Sequence, residues 1–262
     1  MTATAMPSRS PVRACLDLAR SGNFPSVASN VLAALVLSQA AGAGWPAGGT
    51  LALALVAGCL VYAGGATLND VADAAFDAQH RPERAIPRGI ITRGIAGVIG
   101  TAELAAGIGL LVAGGAALAW MVALPATILA YDAIHKRWRG AVILMAGCRA
   151  LLAGALATLP GHGASAPFWW WVGALFAYIA TLSLIARREY EIAPAAAVGA
   201  GEDRVAASRR AVNLGRWVGR LLAFMPLIDA AALLLAGAWT PAIACAAAIP
   251  LGRWAQRVAA ST

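Results

Sequence analysis

The sequence predicts an all-α membrane protein, a polytopic bundle of about eight transmembrane helices, and three observations carry that expectation. Of 262 residues, 60% are hydrophobic and only 12% are charged, about half the roughly 25% that coats a soluble domain. Apolar runs long enough to cross a ~30 Å hydrocarbon core, about 20 residues each, recur along the whole chain. Positive charge then alternates between the connectors. The net charge of +8 does not indicate nucleic acid, because Lys and Arg fall between apolar runs and form no basic face with stacking aromatics. A mean hydropathy of +0.72 is held down by Ala and 28 Gly, not by polar residues.

The elements follow in order. The first run, 24–43, carries Asn30 and Gln39 and is followed by further spans, so it reads as a helix and not a cleaved leader. The second, 50–68, ends at an acidic stretch. Runs 92–113 and 116–134 are joined by two residues, 141–159 and 167–186 by a short Gly-containing turn, and 213–236 is followed by 240–258, which Pro250 interrupts. Connectors 44–49, 114–115, 160–166 and 237–239 hold no Lys or Arg, whereas nineteen of the twenty basic residues lie before the first run, in the other connectors, or in the turns of a run that adjoin those connectors or the C-terminal end, leaving only Arg149 in the middle of a span. Cytoplasmic connectors collect positive charge, so an even number of helices with both termini cytoplasmic is expected, in an inner or cytoplasmic membrane. The chain reads as one domain, 1–262, and the long cytoplasmic connectors 69–91 and 187–212 are where function is expected. Gly94, Gly97, Gly100, Gly107 and Gly109 suit close helix approach. Cys15, Cys59, Cys148 and Cys245 are single and scattered, so they indicate neither a metal site nor a disulfide frame.

The chemistry concentrates in Asn69-Asp70-Val71-Ala72-Asp73-Ala74-Ala75-Phe76-Asp77. On a helix, Asn69, Asp73 and Asp77 share one face at i, i+4 and i+8, and Asp70 neighbours Asp73. Acids beside a bilayer are costly and usually functional, and like charges this close stay ionised when a cation sits among them. Hard oxygen ligands suit Mg²⁺ together with substrate phosphate oxygens. The plainer alternative is a solvated helix end whose aspartates pair with Arg81, Arg84 or Arg88. Downstream, Gln79-His80-Arg81-Pro82-Glu83-Arg84-Ala85-Ile86-Pro87-Arg88-Gly89 is a proline-braced loop that presents three arginines, whose planar forks suit diphosphate.

These motifs resemble the UbiA superfamily of intramembrane prenyltransferases, whose first motif is NDxxDxxxD. RPERAIPRG, residues 81–89, resembles the RPxRPIPxG-like tail of chlorophyll-synthase-like and archaeal geranylgeranylglyceryl-phosphate-synthase-like members, with Ala85 in place of Pro. Leu16-Asp17-Leu18-Ala19-Arg20-Ser21-Gly22-Asn23 resembles the N-terminal L-x-R-P-x-N, with Ser21 for Pro, and Tyr131-Asp132-Ala133-Ile134-His135-Lys136-Arg137 resembles the Tyr-x4-Lys-Arg segment. Ala146-Gly147-Cys148-Arg149-Ala150-Leu151 and Ile185-Ala186-Arg187-Arg188-Glu189 are most similar to UbiA-like members of the ebo gene cluster. The resemblance implies Mg²⁺ held by Asn69, Asp70, Asp73 and Asp77, and an isoprenyl diphosphate bound by Asn23, Asn69, Arg81, Arg84, Arg88, Arg137, Arg187 and Arg188. Asp70, Asp73, Asp77, Lys136 and Tyr131 would be catalytic. The acceptor is unspecified, and the lipid bilayer is the expected surrounding.

A second acidic motif is degenerate. Where the family has DxxxD, this chain offers Glu189 and Glu191, then Glu202 and Asp203. Residues two apart on a helix point ~200° apart, so Glu189 and Glu191 both reach one metal only from an extended segment. An alternative function therefore stays open, an isoprenoid-handling or transport protein that kept the fold and one diphosphate motif. Glu103 and Arg149 are expected to pair with each other within the membrane, the alternative being that they meet a substrate polar group, while Asp229 has no evident partner. Asn23 is either a helix cap or a cavity-facing amide. His80, His135 and His162 lack metal-ligand spacing, and Trp169-Trp170-Trp171 reads as an interfacial anchor.

Overall fold

The computed structural model describes residues 10–39, 44–198 and 214–258, with side chains throughout except over 188–198. Among these residues every regular element is helical. The order is α1 (Pro11–Leu18), a 3₁₀ turn (Ser21–Asn23), α2 (Phe24–Leu37), α3 (Gly48–His80), α4 (Arg93–Ala113), α5 (Leu118–Ile134), α6 (Ala141–Leu156), α7 (Ala166–Val198), α8 (214–224), α9 (Pro226–Leu235) and α10 (Trp239–Val258). Four stretches are long and apolar enough to cross a bilayer: Gly48–His80, Arg93–Ala113, Ala166–Arg187 and Leu214–Leu235. The chain is an integral membrane protein.

Helix ends follow from local sequence. Ser10 Oγ accepts the Arg13 amide at the start of α1 and Thr92 Oγ accepts the Ile95 amide at the start of α4, each satisfying a donor with no partner inside the helix. The turns after α4, α6 and α9 use Gly115, Gly161 and Gly237 at positive φ. Several expected boundaries shift. Residues 69–80 are not a connector but the last turns of α3, and α7 continues helically to Val198. The span expected over 213–236 is two helices, because Pro226 has no amide proton to continue α8 and a turn forms at Met225.

The core is large and built from α2, α3, α5, α6, α7 and α9, with Leu35, Leu124, Leu156, Phe168, Trp171, Leu175 and Leu233 fully buried. The α3–α4 contact is the closest. A Cβ on Gly64 would lie 2.5 Å from the Leu104 amide nitrogen, and one on Gly107 would lie 2.8 Å from that of Val61. Gly100 lies at the same seam, but Gly94, Gly97 and Gly109 face open space, so only part of the expected glycine stripe packs. Trp171 also departs from expectation. It is 2% exposed while Trp170 is 82% exposed, because helical rotation of ~100° per residue turns adjacent side chains to different faces.

Candidate functional site

The C-terminal end of α3 projects beyond its apolar part, and there the 3.6-residue repeat sets Asp70, Asp73 and Asp77 on the inward side, all buried. Each meets a base from elsewhere in the chain. Asp70 Oδ1 accepts from Arg20 at 2.9 Å and from Arg84 at 3.0 Å, and the same Arg84 nitrogen reaches Asp77 Oδ2 at 2.9 Å. Asp73 faces α5, with His135 Nε2 at 3.1 Å and Lys136 Nζ at 2.9 Å. Asn69 donates to Asp132 Oδ1 at 3.1 Å. Arg20 takes the left-handed conformation, φ 47°, which disfavours a Cβ-bearing residue.

Burial raises the carboxyl pKa of Asp77 above its usual value, and the neighbouring Asp70 and Asp73 charges add to the rise, with Arg84 only partly compensating. Asp73 is different. Burial again opposes ionisation, yet the hydrogen bonds and charges of His135 and Lys136 outweigh it and hold the carboxyl below its usual value.

This cluster borders a cavity of about 570 Å³ that enters the bundle. Its mouth is polar, with Arg20, Asn69, Arg81, Asp132, His135, Lys136 and Arg187; its depth is apolar, with Val61, Leu124, Ile128, Met145, Leu152, Leu222 and Met225. Phe76 and Tyr131 line it as well. The Phe76 ring centroid lies 3.9 Å from Lys136 Nζ, and Tyr131 stacks on His135 at 4.8 Å between ring centroids. Arg187 donates to the carbonyls of His135 and Trp138, which ties α7 to the end of α5.

A hard cation would need oxygen donors. Among the described residues no three His, Cys, Asp or Glu side chains converge on one point, because Arg84, Lys136 and Arg20 stand among the acids. Two buried carboxylate oxygens, Asp77 Oδ1 and Asp132 Oδ2, nevertheless have no hydrogen-bond partner. Buried acceptors left unmet are costly, and their chemistry fits Mg²⁺.

The UbiA prenyltransferase family model matches residues 30–261. The chain belongs to the UbiA prenyltransferase family. No curated protein sequence matches it significantly. Two solved structures are similar in fold. One concerns digeranylgeranylglyceryl phosphate synthase in membranes, at 13% identity and TM-score 0.55, covering 95% of each chain. The other is a UbiA homologue from Archaeoglobus fulgidus bound to GPP and Mg²⁺, at 17% identity and TM-score 0.53, covering 92% of this chain and 99% of that one.

The expected residues of this UbiA-family chain distribute unevenly. Asn23, Asn69, Arg81, Tyr131, Lys136 and Arg187 line the cavity; Asp70, Asp73, Asp77 and Arg84 stand directly behind that lining. Arg88 is half-buried and Arg137 exposed, both outside the lining. The side chains of Arg188, Glu189 and Glu191, and all of Glu202 and Asp203, lie outside the described residues. Asn23 precedes α2 without capping it; its side chain donates to the Tyr62 hydroxyl and accepts from Gln256. It is the cavity-facing amide.

The expected Glu103–Arg149 pair is absent. Glu103 accepts from Thr67 on α3, whereas Arg149 donates to Asn30 and lies over the Tyr62 ring. Asp229, expected without a partner, accepts from Ser29, Asn30 and Trp171. Sequence reasoning also missed Asp132 and His135 as members of the site. Asp132 carried a readable signal, an acid at the C-terminal end of a span inside the Tyr131–Arg137 segment.

Proposed function

We propose that this protein transfers an isoprenyl group from an isoprenyl diphosphate to an acceptor within the membrane, working from the cytoplasmic side with both termini on that side. The observation that carries this reading is a cavity with a charged mouth and an apolar depth, which suits a ligand with a diphosphate head and a hydrocarbon tail.

Asn69, Asp70, Asp73 and Asp77 would hold Mg²⁺, with Glu189 or Glu191 contributing from α7. When bound, the metal would neutralise charge developing on the departing pyrophosphate. The chain's own bases have a matching part. Lys136 and Arg84 now satisfy the acids, and a cation among those acids would free them to donate to phosphate oxygens. Arg81 and Arg187, at the mouth, are placed to add hydrogen bonds to the diphosphate. Such preset donors are where ionisation of a carbon–oxygen bond gains its stabilisation. The electron-rich faces of Tyr131 and Phe76, in the same lining, would steady the allylic cation until the acceptor captures it, and the apolar depth would exclude water that would otherwise quench it.

The test is pyrophosphate release by the purified protein in lipid, with Mg²⁺, allylic diphosphates of several chain lengths, and a metabolite extract as acceptor source. Release that requires the extract and disappears in Asp73→Ala supports transfer. Tight Mg²⁺-dependent binding without release under any extract would favour an isoprenoid-handling protein that kept the fold and one diphosphate motif.

A further inference from the structure

The cavity contains a charged group that an isoprenyl chain does not need. Arg149 lies on α6 and lines the cavity wall, eight residues from the helix start and so ~12 Å along its axis. Its side chain leans back toward the helix N-terminus, which is the mouth end. One guanidinium nitrogen donates to Asn30 Oδ1, and the guanidinium carbon sits 4.9 Å from the Tyr62 ring centroid. No carboxylate lies within ion-pair distance, and the Nε–Nη2 edge has no partner among the described residues.

The surroundings keep this charge unneutralised. Asp229 is the nearest acid of the network, but it is met by its own donors: Ser29 Oγ, Trp171 Nε1 at 2.8 Å and Asn30 Nδ2 at 2.8 Å. Asn30 thus stands between guanidinium and carboxylate as an amide spacer. A purely structural pair would be better served by direct contact, since each buried ion then offsets the other's desolvation. The Tyr62 hydroxyl accepts from Asn23 and keeps its own proton to donate. A guanidinium edge and a hydroxyl beside apolar walls remain unsatisfied against hydrocarbon alone.

We infer that Arg149, backed by Asn30 and flanked by Tyr62, forms an oxyanion subsite that receives a carboxylate or phosphate head of the acceptor, with the planar edge donating two parallel hydrogen bonds. This rests on the transferase reading for the word acceptor; the subsite itself is a binding claim. The planar fork makes Lys a poor substitute.

Equilibrium dialysis of benzoate, phenyl phosphate and benzyl alcohol against the full-length protein in nanodiscs tests it, with geranyl diphosphate plus Mg²⁺ titrated on the same samples. Saturable binding of one or both anions is expected, with none for benzyl alcohol, and whichever anion binds more tightly identifies the head group. Affinity should fall about tenfold or more in Arg149→Gln and also in Arg149→Lys, as loss of a bidentate charged pair implies. It should fall less in Tyr62→Phe, a variant that keeps the ring and the packing. Geranyl diphosphate binding should survive in all three. Wild-type protein that binds neither anion, or anion binding unchanged in a folded Arg149→Gln, overturns the subsite. Wild-type protein that binds an anion but not geranyl diphosphate would instead count against the transferase reading, and the subsite would stand.

Discussion

The acids at the mouth and the acid in the bundle's interior are held in opposite ways. At the end of α3, Asp70, Asp73 and Asp77 touch bases directly at 2.9 to 3.1 Å, next to a cavity where partners can be exchanged for a ligand. Around Asp229 the donors are neutral, and the one nearby cation is reached only through Asn30. Direct pairs suit a site where charge is traded during binding. A neutral donor cage suits a carboxylate that stays, and it leaves the neighbouring Arg149 available to the cavity.

The largest effect that would break this contrast lies at the mouth. Asp73→Asn should reduce pyrophosphate release by ~10²-fold or more, the scale on which one preset electrostatic contact acts, while thermal stability in lipid falls only by the smaller contribution of its pairs with His135 and Lys136. A variant equally active would show that the paired acids are structural, as a solvated helix end would be.

Asp229 should show the reverse. Asp229→Ala removes one acceptor and strands three donors, from Ser29, Asn30 and Trp171, in a fully buried site, so a loss of about 2–4 kcal/mol is expected. Thermal unfolding in nanodiscs would measure it. Ser29→Ala alone should cost less, because two donors remain.

These regions also differ in how legible they are from sequence. The mouth follows from local spacing: Asn69, Asp70, Asp73 and Asp77 lie within nine residues, and helical periodicity alone sets their common side. What spacing could not give was the partners, since Arg20 lies 50 residues from Asp70 and Lys136 lies in the turn after α5. The interior network was invisible for the same reason carried further. Arg149 meets Asn30 across 119 positions and Asn30 meets Asp229 across 199, and nothing local distinguishes Asn30 from any polar residue in an apolar run. Buried charges do seek partners, but nothing along the chain says that Arg149 meets Asn30 and Glu103 meets Thr67 instead of each other.

A smaller effect separates packing that spacing announces from packing that only contacts decide. Gly107→Leu should destabilise the α3–α4 seam by about 1–3 kcal/mol, since the added carbon meets Val61 and the Ala57 carbonyl. Gly97→Leu, on the same helix but facing open space, should stay within about 0.5 kcal/mol of wild type.

The subtlest test lies inside the mouth itself, between two aspartates four residues apart. Asp73 has its carboxyl pKa lowered in the folded protein, despite burial, by His135 and Lys136. Its stabilising contribution is therefore present above the unfolded-state pKa and is lost as pH falls through the folded value. Asp77 has its pKa raised, by burial first and then by the other two acids, so its ionised form costs stability and protonation relieves that cost. In Mg²⁺-free buffer, acid titration of stability should thus be flatter in Asp73→Asn and steeper in Asp77→Asn than in wild type. The expected shifts are smaller than those at Gly107. Opposite slopes would mean that Lys136 and His135 do not engage Asp73 in the folded protein, and the direct pairing that distinguishes the mouth from the interior would fail at its best-defined contact.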